Sequence, residues 1–392
     1  MSRSFRLKSF LRCLEKNLFV KYLESLSIVK PLPQPKKDED EWDCWERFIG
    51  SLGPEEANRI ESGLQDVNEL SDDGGIAALL ELAEIERIRL QNDFEGIENE
   101  YNKALFCYLN YREVFESASI LYHVSDLKTK SERTGFKKVV ASLVQKHGES
   151  LAKALSEYFL SKDGRGRRCH VDVYKYEERV CFVAYPEDYL KSDIRFNDKG
   201  KFERSKRRSC LEIVYVYYPG EGRLQLSGGI GYKKEKELLK IFNEVVLGDD
   251  SPIDDSQKIY DLDKLLGEDF TFVIDSEDEV EHAGLKQLRV RYKRGRDKFT
   301  LEVAEADGVT TMHEAMKYRN INAENFTVLQ ATIHMKFPGK GKRGSVTIIL
   351  SMPNKCNLNE STNHQKAKKY LKLWGLENRL DIKKTPQVSS SL

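Results

Sequence analysis

No stretch of this 392-residue chain approaches the roughly 18 consecutive apolar residues of a membrane-spanning helix. Its N-terminus, MSRSFRLKSFLRCLEKN, also lacks the apolar core of a secretory signal. Seven cysteines are scattered without paired CxxC spacing, so neither a disulfide framework nor a zinc ribbon is expected. These absences predict a cytoplasmic protein, in a reducing compartment and away from membranes. Net charge is missing as well, because 64 basic residues balance 64 acidic ones. So are the phosphate-binding GxxxxGK[ST] loop, a complete GxGxxG fingerprint and a nucleophile elbow. Nor do carboxylates and a lysine gather on central strands as a metal-dependent nuclease requires. The expectation is a protein with no cofactor, no metal and no intrinsic catalysis.

What is present suffices for a folded core: 40% hydrophobic and 10% aromatic residues. At roughly 150 residues per domain, the length fits two or three domains. The neutral total conceals blocks. Residues 1–37 carry nine basic and two acidic groups, and residues 38–100 carry four and twenty. Further along, 161–208 and 284–343 are basic, whereas 248–282 is acidic. Such blocks shape association more than fold.

Leu7, Phe10, Leu11, Leu14 and Leu18 fall at helical spacing within 4–23, with Arg3, Arg6, Lys8 and Arg12 among them. This basic amphipathic helix is expected to pack on its own domain. The Pro-rich segment 31–37 breaks it. Helical patterning resumes over 40–48, 55–64 and 76–90, then over 94–122 and 134–160, where Phe136, Val139, Val140, Leu143, Val144, Leu151, Leu155 and Phe159 form one stripe. Residues 1–160 therefore read as a helical domain, with His123 and His147 beside its stripes as ordinary structural residues.

After Asp163-Gly164-Arg165-Gly166 the period changes to short β-branched and aromatic runs, placing a domain boundary near 161–167. Strands are expected at 169–176, 179–185, 210–218 and 223–227, followed by a helix at 233–246. The order recurs at 285–293, 298–304, 326–337 and 344–351, with a helix at 362–374 and an inserted helix at 311–319. The fold class is thus α+β: a helical domain followed by a β-rich antiparallel region that reads as two ββββα units, 165–247 and 283–378. Their sheets either stand apart or join at an edge. Residues 248–282 read as an acidic, mobile connector with a short helix near Leu262–Leu266, and 379–392 as a disordered tail.

Four basic clusters fall where turns are expected. They are Arg165, Arg167 and Arg168; Lys199, Lys201, Arg204, Lys206, Arg207 and Arg208; Arg289, Arg291, Lys293, Arg294, Arg296 and Lys298; and Lys336, Lys340, Lys342 and Arg343. Hairpin tips hold cations away from the core, where they reach phosphates, and Tyr174, Tyr176, Tyr292 and Phe299 are candidate stacking faces. The functional expectation is DNA or RNA backbone binding by these residues. The acidic block 38–100 would serve a protein partner, or occupy the basic tips until a competitor arrives. The alternative is a protein–protein adaptor without nucleic acid, since edge strands also use lysine against aggregation.

Two places are candidates for an unrecognised enzyme site. Gly228-Gly229-Ile230-Gly231 precedes a helix bearing Lys233, Lys234 and Lys236, as a phosphate cradle would. Cys356 lies between a strand and the last helix. Cys169, His170, Cys181 and Cys210 fall on neighbouring strands but are expected to be structural, because adjacent strand residues point to opposite faces.

Overall fold

The computed structural model describes residues 5–28, 33–37, 40–127, 130–139, 145–176, 178–197, 200–228, 231–254, 258–303, 311–338, 344–359 and 362–378. The chain divides into two compact units, one of residues 1–126, 189–209 and 360–362, the other of 127–188, 210–359 and 363–392. The division after Asp126, rather than near 161–167, follows from residues 127–160 joining the β-rich unit.

Among the described residues of the first unit eight helices pack together: α1 Leu7–Leu11, α2 Lys16–Ser25, α3 Glu41–Gly50, α4 Pro54–Glu69, α5 Asp73–Ile85, α6 Leu90–Asp93, α7 Glu100–Asn110 and α8 Arg112–Asp126. Their starts are chemically marked. Asp40, Asp72 and Asn99 cap α3, α5 and α7 with side-chain oxygens on backbone N–H groups, and Pro54 opens α4. The single helix expected over 4–23 is broken in two. At the break Asn99 donates to the Cys13 carbonyl at 2.9 Å and Asn102 accepts from the Glu15 N–H at 2.8 Å, so α7 satisfies the freed backbone. Phe10, Leu11, Phe19 and Trp45 are buried. At Gly63, a Cβ would lie 2.3 Å from the Tyr22 hydroxyl, so only glycine lets α4 approach α2 this closely.

The opposed N-terminal charge blocks meet in this unit. Lys8 lies 2.9 Å from Asp43 and 3.6 Å from Glu46, Arg12 lies 3.3 Å from Asp43, and Lys16 pairs with Glu41. The amphipathic N-terminus packs on its own helices as expected, and these carboxylates of the acidic block face its cations.

In the second unit the strands form one antiparallel sheet. They are β1 Lys130–Thr134, β2 Cys169–Lys175, β3 Val180–Phe196, β4 Phe202–Cys210, β5 Ile213–Tyr218, β6 Arg223–Ser227, β7 His282–Tyr292, β8 Lys298–Glu302, β9 Phe326–Lys336, β10 Ser345–Ser351 and β11 Lys355–Cys356. The order is β2-β3-β5-β6-β1-β11-β10-β9-β7-β8, with β4 pairing the far part of β3. The outer portions of β3 and β4, residues 189–209, belong to the first unit. One core lies under the first half-sheet, where Phe182, Tyr215 and Leu224 meet Leu155 and Phe159 of α9 (Gln145–Asp163) and Phe242 of α10 (Tyr232–Val245). The other lies under the second half, where Leu288, Ile333 and Ile348 meet Tyr370 and Leu371 of α12 (Thr362–Leu373) and Met312 and Met316 of α11 (Met312–Tyr318).

The α+β class is as the sequence predicts, and the two half-sheets join edge to edge. Their internal orders differ: β2-β3-β5-β6 is a simple meander, whereas in β8-β7-β9-β10 the first two strands are exchanged. Three expectations are corrected. Residues 134–160 are not one helix, since β1 ends at Thr134 and α9 begins at Gln145. The basic segment 202–210 is a strand and not a turn. The acidic connector is anchored, because Ile259, Tyr260, Leu262, Leu265 and Leu266 are buried in the second core.

The seam between the half-sheets is β1, whose sequence KSERT is polar and yet buried from Lys130 to Arg133. Glu132 accepts from Arg223 at 3.2 Å and from Gln225 at 2.7 Å. Glu235 of α10 accepts from the Ser131 hydroxyl at 2.5 Å and meets Lys355 of β11 at 2.7 Å and Arg133 at 3.9 Å. Asn354 exchanges hydrogen bonds with the Glu132 backbone, donating through its side chain and accepting through its carbonyl. Removing one member of such a set leaves the others charged without compensation, at about 3–5 kcal/mol. Glu235→Ala should therefore lower the unfolding free energy from urea titration by an amount of that order, while Glu244→Ala, exposed on the same helix, should change it by no more than about 0.5 kcal/mol.

Candidate nucleic-acid interface

The β7–β8 hairpin carries the densest uncompensated charge in the second unit. Residues 289–298 hold six cations and one carboxylate, Asp297. Leu288 and Val290 point into the core, so by the two-residue period Arg289 and Arg291 point out. Arg289 is flanked across the sheet by Thr300 of β8 and Gln330 of β9, and Arg291 by Lys298 and Thr327. Lys293, Arg294 and Arg296 ride the turn, which is closed by the Tyr292 N–H donating to the Asp297 carbonyl at 3.0 Å. All six cations are exposed, and none has an acidic partner among the described residues. The result is a cationic strand pair beside uncharged hydrogen-bonding side chains.

The second cluster lies on a two-stranded arm, residues 189–209 of the first unit. Its turn is held by Asn197, whose N–H donates to the Lys201 carbonyl and whose side chain accepts from the Lys201 N–H. Gly200 at the tip, with φ +69°, sits against Pro54 of α4. The arm's faces differ. On one, Arg195 pairs with Glu203 at 2.7 Å and Arg207 with Asp193 at 3.0 Å, and both carboxylates are half-buried. On the other, Leu190, Ile194, Phe196, Phe202, Arg204, Lys206 and Arg208 are all exposed. The Glu203 carboxyl is held below its usual range by the Arg195 and Asn197 hydrogen bonds. Arg207 is therefore a partner within the arm, while Lys201, Arg204 and Lys206 have no acidic partner among the described residues.

The first cluster is largely structural. Arg165 turns inward, its guanidinium 2.7 Å from Asp188 and 3.0 Å from Asp163 and above the Phe159 ring. Lys234 reaches the same Asp163 at 2.6 Å, and these cations hold the Asp163 carboxyl below its usual value. A side chain committed to two carboxylates is not a phosphate contact, so Arg165 leaves the expected set. Arg168 pairs with Glu187 at 2.6 Å but stays largely exposed. With Arg167 it borders an open groove also lined by Glu149, Lys153, Ser156 and His170. In the fourth cluster Lys336 pairs with Glu281 at 2.8 Å, while Lys340, Lys342 and Arg343 lie outside the described residues.

Three of the four expected stacking faces are in use elsewhere, and the fourth, Tyr174, is half-buried. Tyr176 is buried, and Tyr292 and Phe299 pack edge-on against Phe326, with centroids 5.5 and 5.0 Å away. Two exposed rings that sequence reasoning missed, Phe196 and Phe202, stand together at the tip of the arm. Their signal was an Asn-Asp-Lys-Gly-Lys turn between two aromatic residues, the mark of a hairpin tip.

Neither candidate enzyme site gains support. Burial pushes the Cys356 thiol above its ordinary value, away from the thiolate that nucleophilic chemistry needs. Gly229 and Ile230 lie outside the described residues, and Gly228 is explained by packing, because a Cβ there would meet the Glu212 carbonyl at 2.9 Å. Among the described residues no group of three or more His, Cys, Asp or Glu side chains is placed to hold a metal, and no helix is long and apolar enough to cross a membrane. No protein-family model matches the sequence, and no curated protein matches it.

The thiols offer a direct check. Cys210 is exposed, Cys107 is buried with its pKa pushed up to about 12, and Cys169 is likewise raised to about 12 by burial. A thiol reagent at about pH 8 should label Cys210 first, the half-buried Cys169 and Cys356 more slowly, and Cys107 only on unfolding, as followed by mass spectrometry. Rapid labelling of Cys356 in the native protein would restore it as a reactive group.

Proposed function

We propose that this protein binds nucleic acid without acting on it chemically, through phosphate contacts made by its exposed β-strand cations. The observation that carries the reading is the β7–β8 hairpin: six exposed cations with no acidic partner among the described residues, standing beside Thr300, Thr327 and Gln330. Unpaired cations on an exposed hairpin at the end of the sheet are free to displace the counterions of a polyanion, and that release drives backbone binding. Threonine and glutamine beside them add hydrogen bonds to phosphate or sugar oxygens without adding charge. Lys201, Arg204, Lys206 and Arg208 on the arm, and Arg167 on its loop, extend the same chemistry. The helical unit, whose N-terminal charges largely answer one another, is a surface for protein contacts.

The reading predicts a salt signature. Fluorescence anisotropy with a labelled oligonucleotide should give an affinity that falls log-linearly with salt. The variant R289A/R291A/R294A/R296A should bind more weakly and lose roughly 2–4 from the slope, at about 0.9 per lost duplex phosphate contact. Its unfolding midpoint should be unchanged, because all four side chains are exposed. No binding at low salt would retire the reading and leave an acidic protein as the partner of these cations.

A further inference from the structure

The exposed face of the β3–β4 arm combines two chemistries in separate rows. On β3 it presents Leu190, Ile194 and Phe196, at 51%, 64% and 70% exposure. On β4 it presents Phe202, at 55%, followed by Arg204, Lys206 and Arg208 at every second residue. Half of the large hydrophobic side chains exposed among the described residues lie on this one arm, counting Tyr189. The two rings close the apolar row at the tip, 5.7 Å apart and edge to face, and the Arg204 guanidinium lies 5.7 Å from the Phe202 centroid. The face with matched ion pairs is the opposite one.

We infer that this face is a binding platform for unpaired nucleotides, on which bases stack against Phe196 and Phe202 while Arg204, Lys206 and Arg208 follow the phosphates. The inference rests on the nucleic-acid reading and adds the state of the strand that the arm selects. Flat rings exposed on a ribbon suit bases whose π-faces are free, and in a duplex those faces are already stacked. Alternate residues on a strand stand about 6.6 Å apart, a spacing of the order of that between phosphates in an extended single strand. Arg204 and Lys206, which have no acidic partner among the described residues, favour an anionic ligand. An anionic membrane would also answer cations and apolar residues together, but it would take the apolar row as an inserted edge, without a role for a guanidinium already stacked on the ring beside it.

The test compares a labelled single strand with its own duplex by anisotropy at fixed salt, using wild-type protein, F196L/F202L and the β7–β8 variant R289A/R291A/R294A/R296A. Leucine keeps apolar bulk on an exposed position and removes the stacking face, so the fold should persist, and an unchanged melting temperature checks this. Support is a loss of single-strand affinity of about tenfold or more in F196L/F202L, with duplex affinity within twofold of wild type. The inference is overturned if single-strand affinity stays within twofold, if both ligands weaken equally, or if the variant loses binding to phosphatidylserine vesicles while keeping its single strand. Binding to single strand and duplex alike that responds only to R289A/R291A/R294A/R296A would sustain the nucleic-acid reading and sink this one. Absence of any binding by wild-type protein would sink both.

Discussion

The second unit depends on placing charged side chains inside a sheet. Strand β1 joins β6 on one side and β11 on the other, and among the described residues it is the strand that links the two half-sheets. The contact with β11 is only two residue pairs long, so backbone bonding alone would make a weak joint. What adds specificity is the side-chain set. Glu132 answers Arg223 on β6, whereas Glu235 on α10 gathers Ser131, Arg133 and the Lys355 of β11. Buried ions tolerate few arrangements, because each must find its partner or lose its hydration uncompensated. A slip of one residue along β1 would carry Glu132 and Arg133 to opposite faces and break both sets. Apolar side chains at these places would accept several registers; charged ones accept this register and require α10 to be docked.

The same accounting of partners separates the cations that hold the fold from those that can serve a ligand. Arg223 and Arg133 are buried, Arg165 is half-buried, and all three answer carboxylates. Lys8, Arg12 and Lys16 are exposed, yet they stand against the acidic start of α3. The strand cations at 289–298 are different, since their cross-strand neighbours are Thr300, Thr327, Gln330 and one another, and none is a carboxylate. A balanced total thus coexists with local excess. The acidic block spends charge on the N-terminal helices, and the acidic connector is fastened to the second core by Leu262, Leu265 and Leu266 while Asp278 pairs with Lys369 of α12.

How far the sequence revealed this follows from what its pattern measures. Strands β5, β7, β9 and β10 alternate apolar and polar residues or run continuously apolar, because one or both faces meet a core, and they stand within three residues of their expected positions. β1 and β4 were invisible for one reason: neither buries an apolar face. The residues of β1 meet charges, and those of β4 meet solvent and the carboxylates of β3, so no hydrophobic period arises. At the interface, the density of arginine made the β7–β8 hairpin legible. Arg165 was not, since composition cannot say whether a guanidinium turns outward or toward Asp163 and Asp188. Tyr292 and Phe299 failed as stacking faces because an aromatic residue beside basic ones gives no sign that Phe326 already covers it.

Edge protection alone does not account for the arm. A two-stranded ribbon offers unpaired backbone groups along its edges, and lysine and arginine there discourage pairing with other chains. That accounts for Arg204, Lys206 and Arg208. It does not account for Phe196, Phe202, Ile194 and Leu190 on the same face, since exposed apolar side chains work against that protection. The chain had an alternative at hand: the other face is half-covered and takes Asp193 and Glu203, where apolar residues would have been sheltered. The arm instead shelters its ion pairs and exposes its rings. Under the single-strand proposal, a ligand that covers the rings and answers the cations in one step would offset that inversion, so the cost in the unbound chain would measure what the bound state must supply.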